Sequence, residues 1–358
     1  MRAEMTPRER LLTAMRRQAP DRVPKLFGWT PPVWEMLRSK LGDVHPYDYF
    51  GVEVRPVGPG PSRQRGDFSR YFAGRDLPAN TVVDEWGMAE IPDPHVHYTT
   101  YVHPMVRLTS PDELAEYPFP DRLADYRWER VPAMVAGLHA RGLAVEGGME
   151  CTIFERAWYL RSMGQLFADF VENPAFAEAL LDRITAISCG MAERFARADV
   201  DVLGLGDDVG IQTGMLMSPA TWRRWLKLRL AKVIQSARAV KPDILVKYHS
   251  DGNPEAIIPE LVEIGVDILN PVQPECIDPA EAKRRYGDRL AFWGTVGTQS
   301  TMPFGTPEEI AEVVRERVRT VGAGGGLLLA PTHVLQPDVS WENIVAFFEA
   351  VEKYGAYE

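Results

Sequence analysis

Short apolar runs alternate with longer amphipathic stretches along most of the chain. Eight runs of five to seven residues are rich in Val, Ile, Leu or Phe, and each is too short for a helix, so they predict buried β-strands. They cover residues 23–27, 52–57, 143–148, 202–207, 244–249, 267–272, 290–296 and 327–333. Several precede a periodic charged segment, and this alternation predicts parallel βα units that close into a (β/α)8 TIM barrel.

Helix starts are marked by a polar cap residue followed by proline. This pair occurs at Thr6-Pro7, Ser110-Pro111, Asn173-Pro174, Ser218-Pro219, Asp278-Pro279 and Thr306-Pro307. A side-chain oxygen at the cap and proline in the first helical position favour a helix N-terminus. Glutamate at the third helical position (Glu9, Glu113, Glu281 and Glu309) predicts a capping box in four of them.

The succession of short apolar runs and amphipathic stretches is interrupted at residues 81–108. There, apolar and polar residues alternate around Pro92-Asp93-Pro94. The alternation predicts an antiparallel β insertion early in the barrel. The chain contains no internal repeat and no long linker. We therefore expect residues 1–358 to form a single domain.

Composition and charge narrow the classes of partner. The chain has 358 residues with an ordinary globular balance, and its net charge of -10 argues against nucleic acid or anionic membrane as a partner. Small molecules or proteins are expected instead, and the oligomeric state stays open, a homodimer included. Cys151, Cys189 and Cys276 form no close pair and no stretch resembles a membrane span, so a cytoplasmic location is expected.

The segment KYHSDGN, residues 247–253, ends one predicted strand with three titratable groups at alternate positions. Lys247, His249 and Asp251 would face the same side of an extended strand. Burying several titratable groups together lowers the stability of the fold unless they form ion pairs or bind a ligand. His333 ends the last predicted strand, so His249 and His333 are candidate metal ligands, with a hydrogen-bonded pair that binds an anion as the alternative.

Carboxylates follow two other predicted strands. Glu146 and Glu150 flank two glycines, and Glu150 lies nearer the barrel mouth. There it could complete a metal site or act as an acid or base, and a solvated glutamate at a helix start is the alternative. Asp207 and Asp208 are adjacent, so at most one of them faces into the barrel. One is expected to be catalytic and the other to cap or pair with a helix.

Candidate substrate contacts lie on the same strands. Asn270 and Gln273 offer neutral amides, and Trp293 and Tyr248 could form apolar walls, although all four side chain types also serve purely structural roles. The glycine-rich residues 322–326 precede a strand instead of opening a helix, so they indicate a connection and not a phosphate loop.

Four stretches together carry a family likeness: MTPRERLLTAMRRQAPDRVP, GDDVGIQTGMLMSPATWRRW, KYHSDGNPEAIIPELVEIGVDILNPVQP, and FWGTVGTQSTMPFGTPEEI with GGGLLLAPTHVLQPDVSWENI. In the order of these stretches and in their residues, the chain resembles the uroporphyrinogen decarboxylase superfamily. The resemblance implies a (β/α)8 barrel with its site at the carboxyl ends of the strands.

The superfamily contains two kinds of chemistry. Its decarboxylases carry an arginine-rich N-terminal segment that holds the substrate's propionates, whereas DRVPKLFGWTPPVW offers Arg22 and Lys25 without paired arginines. Its corrinoid-dependent methyltransferases hold zinc through a His-x-Cys pair and a last-strand cysteine. The likeness places His249 on the histidine, Asp251 on the first cysteine and His333 near the last ligand, which implies a harder site for zinc or another ion.

The resemblance therefore favours a demethylase-type methyltransferase. It would move a methyl group from a small O- or N-methylated substrate to a corrinoid protein, with the metal as Lewis acid. The chain lacks a D-x-H-x-x-G carrier motif, so the corrinoid would be carried by a partner. Two alternatives stay open: a cofactor-free decarboxylase that uses Asp207 or Asp208 to stabilise a protonated intermediate, and a non-catalytic tetrapyrrole or corrinoid binder.

Overall fold

Seven parallel strands form a curled sheet at the centre of the molecule. The computed structural model describes residues 4–93 and 98–357. Its strands are β1 (Val54–Val57), β2 (Val82–Val83), β3 (Ala89–Pro92), β4 (Thr99–Val102), β5 (Ala144–Met149), β6 (Val202–Gly206), β7 (Gly210–Ile211), β8 (Gly214–Met215), β9 (Leu245–His249), β10 (Ile268–Asn270), β11 (Ala291–Val296) and β12 (Leu327–Pro331). The sheet order β1-β5-β6-β9-β10-β11-β12 follows the chain, as expected of a TIM-barrel-like fold.

The first predicted strand, residues 23–27, extends this sheet through a single bridge and not through a full strand ladder. It lies beside β12, where Lys25 and Leu329 form an isolated parallel bridge. Leu26 N donates to Leu329 O, and Leu329 N donates to Pro24 O. Pro24 has no N–H to donate, which explains why the ladder does not extend to a full eighth strand.

The side chain of Glu53 links residues 23–27 to β1, and we call this junction the seam. Among the described residues, β1 pairs in the sheet only with β5. Glu53 is fully buried, and its Oε2 accepts a hydrogen bond of 2.9 Å from Lys25 N. Its Oε1 lies 3.4 Å from Arg10 Nη1. Burial raises the pKa of Glu53, whereas the charges of Lys25 and Arg10 lower it.

Helices surround the sheet. They are α1 (Pro7–Met15), α2 (Pro31–Leu41), α3 (Pro46–Tyr49), α4 (Pro111–Ala115), α5 (Asp125–Trp128), α6 (Val131–Ala140), α7 (Phe154–Arg161), α8 (Met163–Glu172), α9 (Pro174–Arg197), α10 (Pro219–Trp222), α11 (Leu228–Val240), α12 (Ile258–Ile264), α13 (Pro279–Tyr286), α14 (Thr301–Phe304), α15 (Pro307–Thr320) and α16 (Trp341–Tyr354). Within the described ranges, none combines the length and apolarity that a membrane crossing requires.

All six predicted helix starts are confirmed, at the first residues of α1, α4, α9, α10, α13 and α15. The capping box is confirmed in α1, α4 and α15. The prediction of a fourth box, in α13, is wrong. Asp278 caps that helix, but the Glu281 side chain pairs with Arg284 instead of reaching back to the cap backbone.

The predicted antiparallel insertion is confirmed. Strands β2, β3 and β4 form a separate three-stranded antiparallel sheet between β1 and β5. Pro94, part of the predicted turn, lies outside the described residues. A second hairpin, β7 with β8, follows Asp208 directly and was not predicted from the sequence, since each of its strands has only two residues.

We expect Glu53→Ala to lower the free energy of unfolding by about 2 kcal/mol, because the buried Lys25 amide loses its acceptor, while Arg10 keeps its ion pair with Asp21. Denaturant unfolding followed by far-UV circular dichroism measures the change. The control is Glu312→Gln, which removes a carboxylate from a solvent-exposed ion pair with Arg315 and is expected to leave stability nearly unchanged. Equal effects of the two substitutions would contradict a stabilising role for the seam.

Candidate active site

The carboxyl ends of the barrel strands surround a cavity of about 240 Å³. Its walls come from residues 26–28, β1, β5 and the four strands β9 to β12. The polar side chains that line it include Glu146, Glu150, Lys247, His249, Asn270 and His333. In barrel enzymes, catalytic side chains gather at this face of the sheet.

Three side chains at the mouth of the cavity are spaced to hold a metal ion. Asp208, His249 and Asp251 each offer a ligand atom, and these atoms all lie within 4.8 Å of one another. His249 Nε2 lies 3.6 Å from Asp208 Oδ1 and 3.8 Å from Asp251 Oδ1. The sequence singled out each of these residues, but assigned Asp208 to catalysis and not to the metal.

His333 lies at the edge of this group. Its Nε2 is 3.8 Å from Asp251 Oδ2, and its ring centroid is 6.5 Å from that of His249. Its side chain is 44% exposed, whereas that of His249 is 17% exposed. The structure therefore brings Asp208, His249, Asp251 and His333 to one mouth, with His333 on the solvent side.

Asn270 fixes the orientation of His249. Its Nδ2 donates to Trp293 O at 2.9 Å, so its Oδ1 faces His249 Nδ1 at 2.5 Å. Because an amide oxygen only accepts, Nδ1 carries a proton, which leaves Nε2 as the ring nitrogen that faces the two aspartates. Hydrogen-bonded support of this kind is typical of metal-binding histidines. Asn270, predicted as a substrate contact, thus lines the cavity and also orients the histidine.

The residues present fit a cation. Asp251 Oδ1 is buried and has no hydrogen-bond partner among the described residues, although Asp251 N donates to Asp208 Oδ1 at 2.8 Å. Burial raises the pKa of Asp251, and the charges of Asp208 and Glu150 raise it further, against the opposing effect of the two histidines. An unpartnered buried carboxylate oxygen among carboxylate and imidazole ligands suits a divalent ion such as zinc.

Close backbone packing holds the loop that carries Asp251. Gly252 has a φ of +75°, and a Cβ there would lie 2.6 Å from the carbonyl carbon of Gly210. Gln273 Oε1 accepts a hydrogen bond from Gly252 N at 2.6 Å. Gln273, predicted as a substrate contact, therefore supports this loop and does not line the cavity.

Asp207 and Asp208 face opposite ways. Asp207 is 4% exposed and accepts hydrogen bonds from the amides of residues 153–155 at the start of α7. Burial raises its pKa to about 6 against the effect of these bonds. Its carboxylate oxygens are thus occupied by backbone, which places Asp207 in a structural role and leaves Asp208 at the mouth, as alternation along a strand requires.

Glu155 is a buried carboxylate that sequence reasoning missed. Its Oε2 accepts a hydrogen bond of 3.1 Å from Asp208 N. Burial, together with the charges of Asp207 and Asp208, raises its pKa to about 9. A glutamate in the first turn of a helix ordinarily interacts with the helix dipole in solvent, so the sequence around Glu155 gives no indication of its burial.

Lys247 forms the floor of the cavity with two glutamates. Its Nζ lies 2.6 Å from Glu146 Oε1 and 3.2 Å from Glu150 Oε1, and 5.0 Å from the centre of the Trp293 ring. Burial lowers the pKa of Lys247, but the two carboxylates outweigh it and keep the ammonium charged. The Lys247 ammonium in turn lowers the pKa of Glu150 to about 2.

The assignment of Tyr248 to the substrate pocket is not supported by its position. Lys247 and His249 face the interior, so Tyr248 between them faces the helices. Its ring is 1% exposed, and its hydroxyl donates to Asp207 O at 3.0 Å. Trp293, the other predicted wall, does line the cavity.

The basic residues near the N-terminus do not line the cavity. Arg22 Nη1 lies 2.7 Å from Glu352 Oε2, and the Lys25 ammonium contacts the other oxygen of the same carboxylate. Lys25 is 1% exposed. Lys247 is therefore the only lysine or arginine among the described residues that line the cavity.

Known proteins resemble the chain in sequence and in fold. A methylcobamide:CoM methyltransferase, MtaA, from Methanosarcina barkeri is 27% identical over 233 residues, 63% of this chain and 65% of that protein. A uroporphyrinogen decarboxylase from Pseudoalteromonas translucida is 36% identical over 80 residues, 22% of each chain. The chain thus spans less than two thirds of the length of these curated relatives.

A solved structure shows the same architecture. It is a methyltransferase from Methanosarcina mazei, which covers 98% of this chain and 99% of its own with a TM-score of 0.70 at 21% sequence identity. At that identity the likeness concerns the fold. The family model for uroporphyrinogen decarboxylase (URO-D) matches residues 95–354, well over half of the sequence. The chain therefore belongs to the URO-D family.

Proposed function

We propose that the protein is a demethylase-type methyltransferase that moves a methyl group from a small O- or N-methylated substrate to a corrinoid protein. The observation that carries the proposal is the group of Asp208, His249 and Asp251 beside a small cavity, with one Asp251 oxygen buried and unpartnered. The relative named as a methylcobamide:CoM methyltransferase supports methyl transfer and a corrinoid partner.

Each residue of the group has a distinct task. His249 Nε2, Asp251 and Asp208 would hold a divalent cation such as zinc, with His333 in reach of the outer Asp251 oxygen. When bound, the cation supplies Lewis acidity towards the heteroatom that carries the methyl group. Asn270, through its hydrogen bond with Nδ1, keeps Nε2 of His249 directed at the site. Carboxylate and imidazole ligands suit an oxygen or nitrogen leaving group better than a thiol.

Glu150 acts through Lys247 and not as an acid. Its low pKa keeps it ionised at neutral pH, so it has no proton to give. Its side chain is 53% exposed at the rim, and with Glu146 it balances the buried ammonium. The exposed rim, which includes His333, leaves room for an acceptor carried by a separate protein to approach the methyl group.

A direct test is methyl transfer to a free corrinoid. Zinc-loaded protein is mixed with cob(I)alamin and either 4-methoxyphenol or a small N-methylamine, and the visible spectrum is followed for the methylated corrinoid. In the reaction the carbon–heteroatom bond breaks, the methyl group joins cobalt, and the heteroatom takes a proton. Transfer that requires zinc supports the proposal, whereas loss of CO₂ from a carboxylated substrate by the metal-free protein would favour the decarboxylase alternative.

We expect His249→Ala to abolish stoichiometric metal binding while changing the free energy of unfolding by less than about 1 kcal/mol, because the residue lies at an open mouth. Elemental analysis of protein purified without a histidine tag, combined with thermal melting of the same preparation, measures both. His139→Ala is the control, since His139 lies by Asp201 on another part of the molecule. Unchanged metal content in His249→Ala would exclude the proposed site.

Asn270→Leu is expected to weaken zinc affinity by roughly 10- to 100-fold, because His249 loses the hydrogen bond that sets its tautomer. Asn270→Asp keeps an acceptor for His249 Nδ1 and should recover part of the affinity. Competition with a chromophoric zinc chelator measures both values. If both substitutions weaken zinc binding equally, the hydrogen bond to His249 does not contribute to zinc affinity.

We expect no turnover of uroporphyrinogen. A cavity of about 240 Å³ is small for a tetrapyrrole, and its one ammonium, Lys247, already pairs with Glu146 and Glu150. Unpaired substrate carboxylates would be costly to bury there. Chromatography of the porphyrins after incubation with uroporphyrinogen measures turnover, and decarboxylated products at an enzymatic rate would overturn both the expectation and the methyltransferase proposal.

A further inference from the structure

The cavity has two chemically different ends. The mouth carries the group of Asp208, His249 and Asp251, and the floor carries Glu146 and Lys247. Between the two ends, the rings of Phe27, Tyr47 and Trp293 form walls with aliphatic neighbours from β1 and β12. A molecule that fills this space contacts both polar ends and an aromatic lining.

The volume sets the size of that molecule. An apolar cavity of about 150 Å³ is enough to hold benzene. The cavity of about 240 Å³ leaves room for a benzene ring with a substituent at each end. Lys247 and His249 are two residues apart on β9, so the ends are separated by roughly 7 Å, given a rise of about 3.3 Å per residue.

The floor is built by a glycine. Gly204 on β6 pairs with Lys247, and Glu146 projects from the other neighbour of β6. A Cβ on Gly204 would lie 2.4 Å from Glu146 Oε1 and 3.3 Å from Lys247 Cε. The missing side chain therefore lets the glutamate and the lysine meet across β6.

The charges at the floor disfavour an anion. The Lys247 ammonium is paired with two carboxylates, so the three groups together carry a net negative charge. Among the described residues, Lys247 is the only side chain in polar contact with Glu146, through Oε1. The floor thus presents a carboxylate acceptor to a hydrogen-bond donor, and a neutral hydroxyl meets this requirement without adding a buried negative charge.

We infer that the substrate is a flat ring with its methylated heteroatom at His249 and a neutral hydroxyl on the opposite side of the ring, donated to Glu146. Glu146 and Lys247 then determine specificity without contacting the reacting bond. The inference deepens the proposed function and rests on it for the identity of the methylated end. The hydroxyl subsite is a binding property and can be measured without methyl transfer.

The test is a binding comparison on full-length protein treated with a chelator. Four probes are titrated and followed by Trp fluorescence and calorimetry: 4-methoxyphenol, its isomer 2-methoxyphenol, anisole and 4-methoxybenzoate. We expect 4-methoxyphenol to bind at least about tenfold more tightly than each of the others, because only its hydroxyl reaches Glu146 as a neutral donor. Absence of 4-methoxyphenol binding, or equal binding of any other probe, would overturn the inference.

Two variants localise the effect. Glu146→Gln should weaken 4-methoxyphenol binding about tenfold and leave anisole binding unchanged, since the charge-assisted hydrogen bond is lost. Gly204→Ala should do the same by displacing the Glu146 carboxylate, which provides a second route if the first variant folds poorly. Tyr248→Phe is the matched control, because Tyr248 lies on the same strand but faces the helices. Full retention of selectivity in both variants would refute the subsite.

Failure of this inference is distinguishable from failure of the proposed function. If selectivity for 4-methoxyphenol is absent but zinc-dependent methyl transfer to cob(I)alamin occurs with another substrate, only the hydroxyl subsite is wrong. If selectivity is present but no methyl transfer occurs, the subsite stands and the proposed chemistry is wrong. The binding assay uses metal-free protein, so it does not depend on the occupancy of the cation site.

Discussion

Side chains on a β-strand alternate between two faces, and this constraint determines which groups enter the barrel. On β9 it sends Lys247 and His249 inward and Tyr248 outward. Beyond β6 it separates Asp208, at the mouth, from Asp207, which binds the amides at the start of α7. A shift of one residue in either strand would exchange these sets and remove the site.

The distribution of charge follows from that arrangement. Deep in the cavity, the Lys247 ammonium is balanced by two glutamates. Nearer the mouth, the carboxylates of Asp208, Asp251 and Glu155 lie close together without a lysine or arginine among their ion-pair partners in the described ranges. Burial raises the pKa values of Asp251 and Glu155, and the neighbouring carboxylates raise them further. A bound cation would offset this negative charge at the mouth, whereas at the floor Lys247 already pairs with both glutamates.

Much of the fold could be predicted because its determinants are local. Cap and proline pairs gave all six helix starts, and apolar runs gave the seven strands and residues 23–27. The inward position of His249 follows from alternation alone, whereas Asp251 lies on the loop after β9. The roles of Asn270 and Gln273 do not, because which partner an amide meets depends on neighbouring strands and loops. Glu155 and Gly204 were missed for the same reason: their importance arises from contacts across elements.

The seam at Glu53 also affects the order in which the protein can fold as it is synthesised. Residues 23–27 emerge from the ribosome early, yet their backbone partners are Leu329 on β12 and Gly355 near the end of the sequence. The preceding residue, Arg22, likewise forms a bridge with Ala356. The ring of strands therefore cannot close until translation has passed these late positions. Until then the nascent chain carries an unclosed sheet edge that a chaperone could cover.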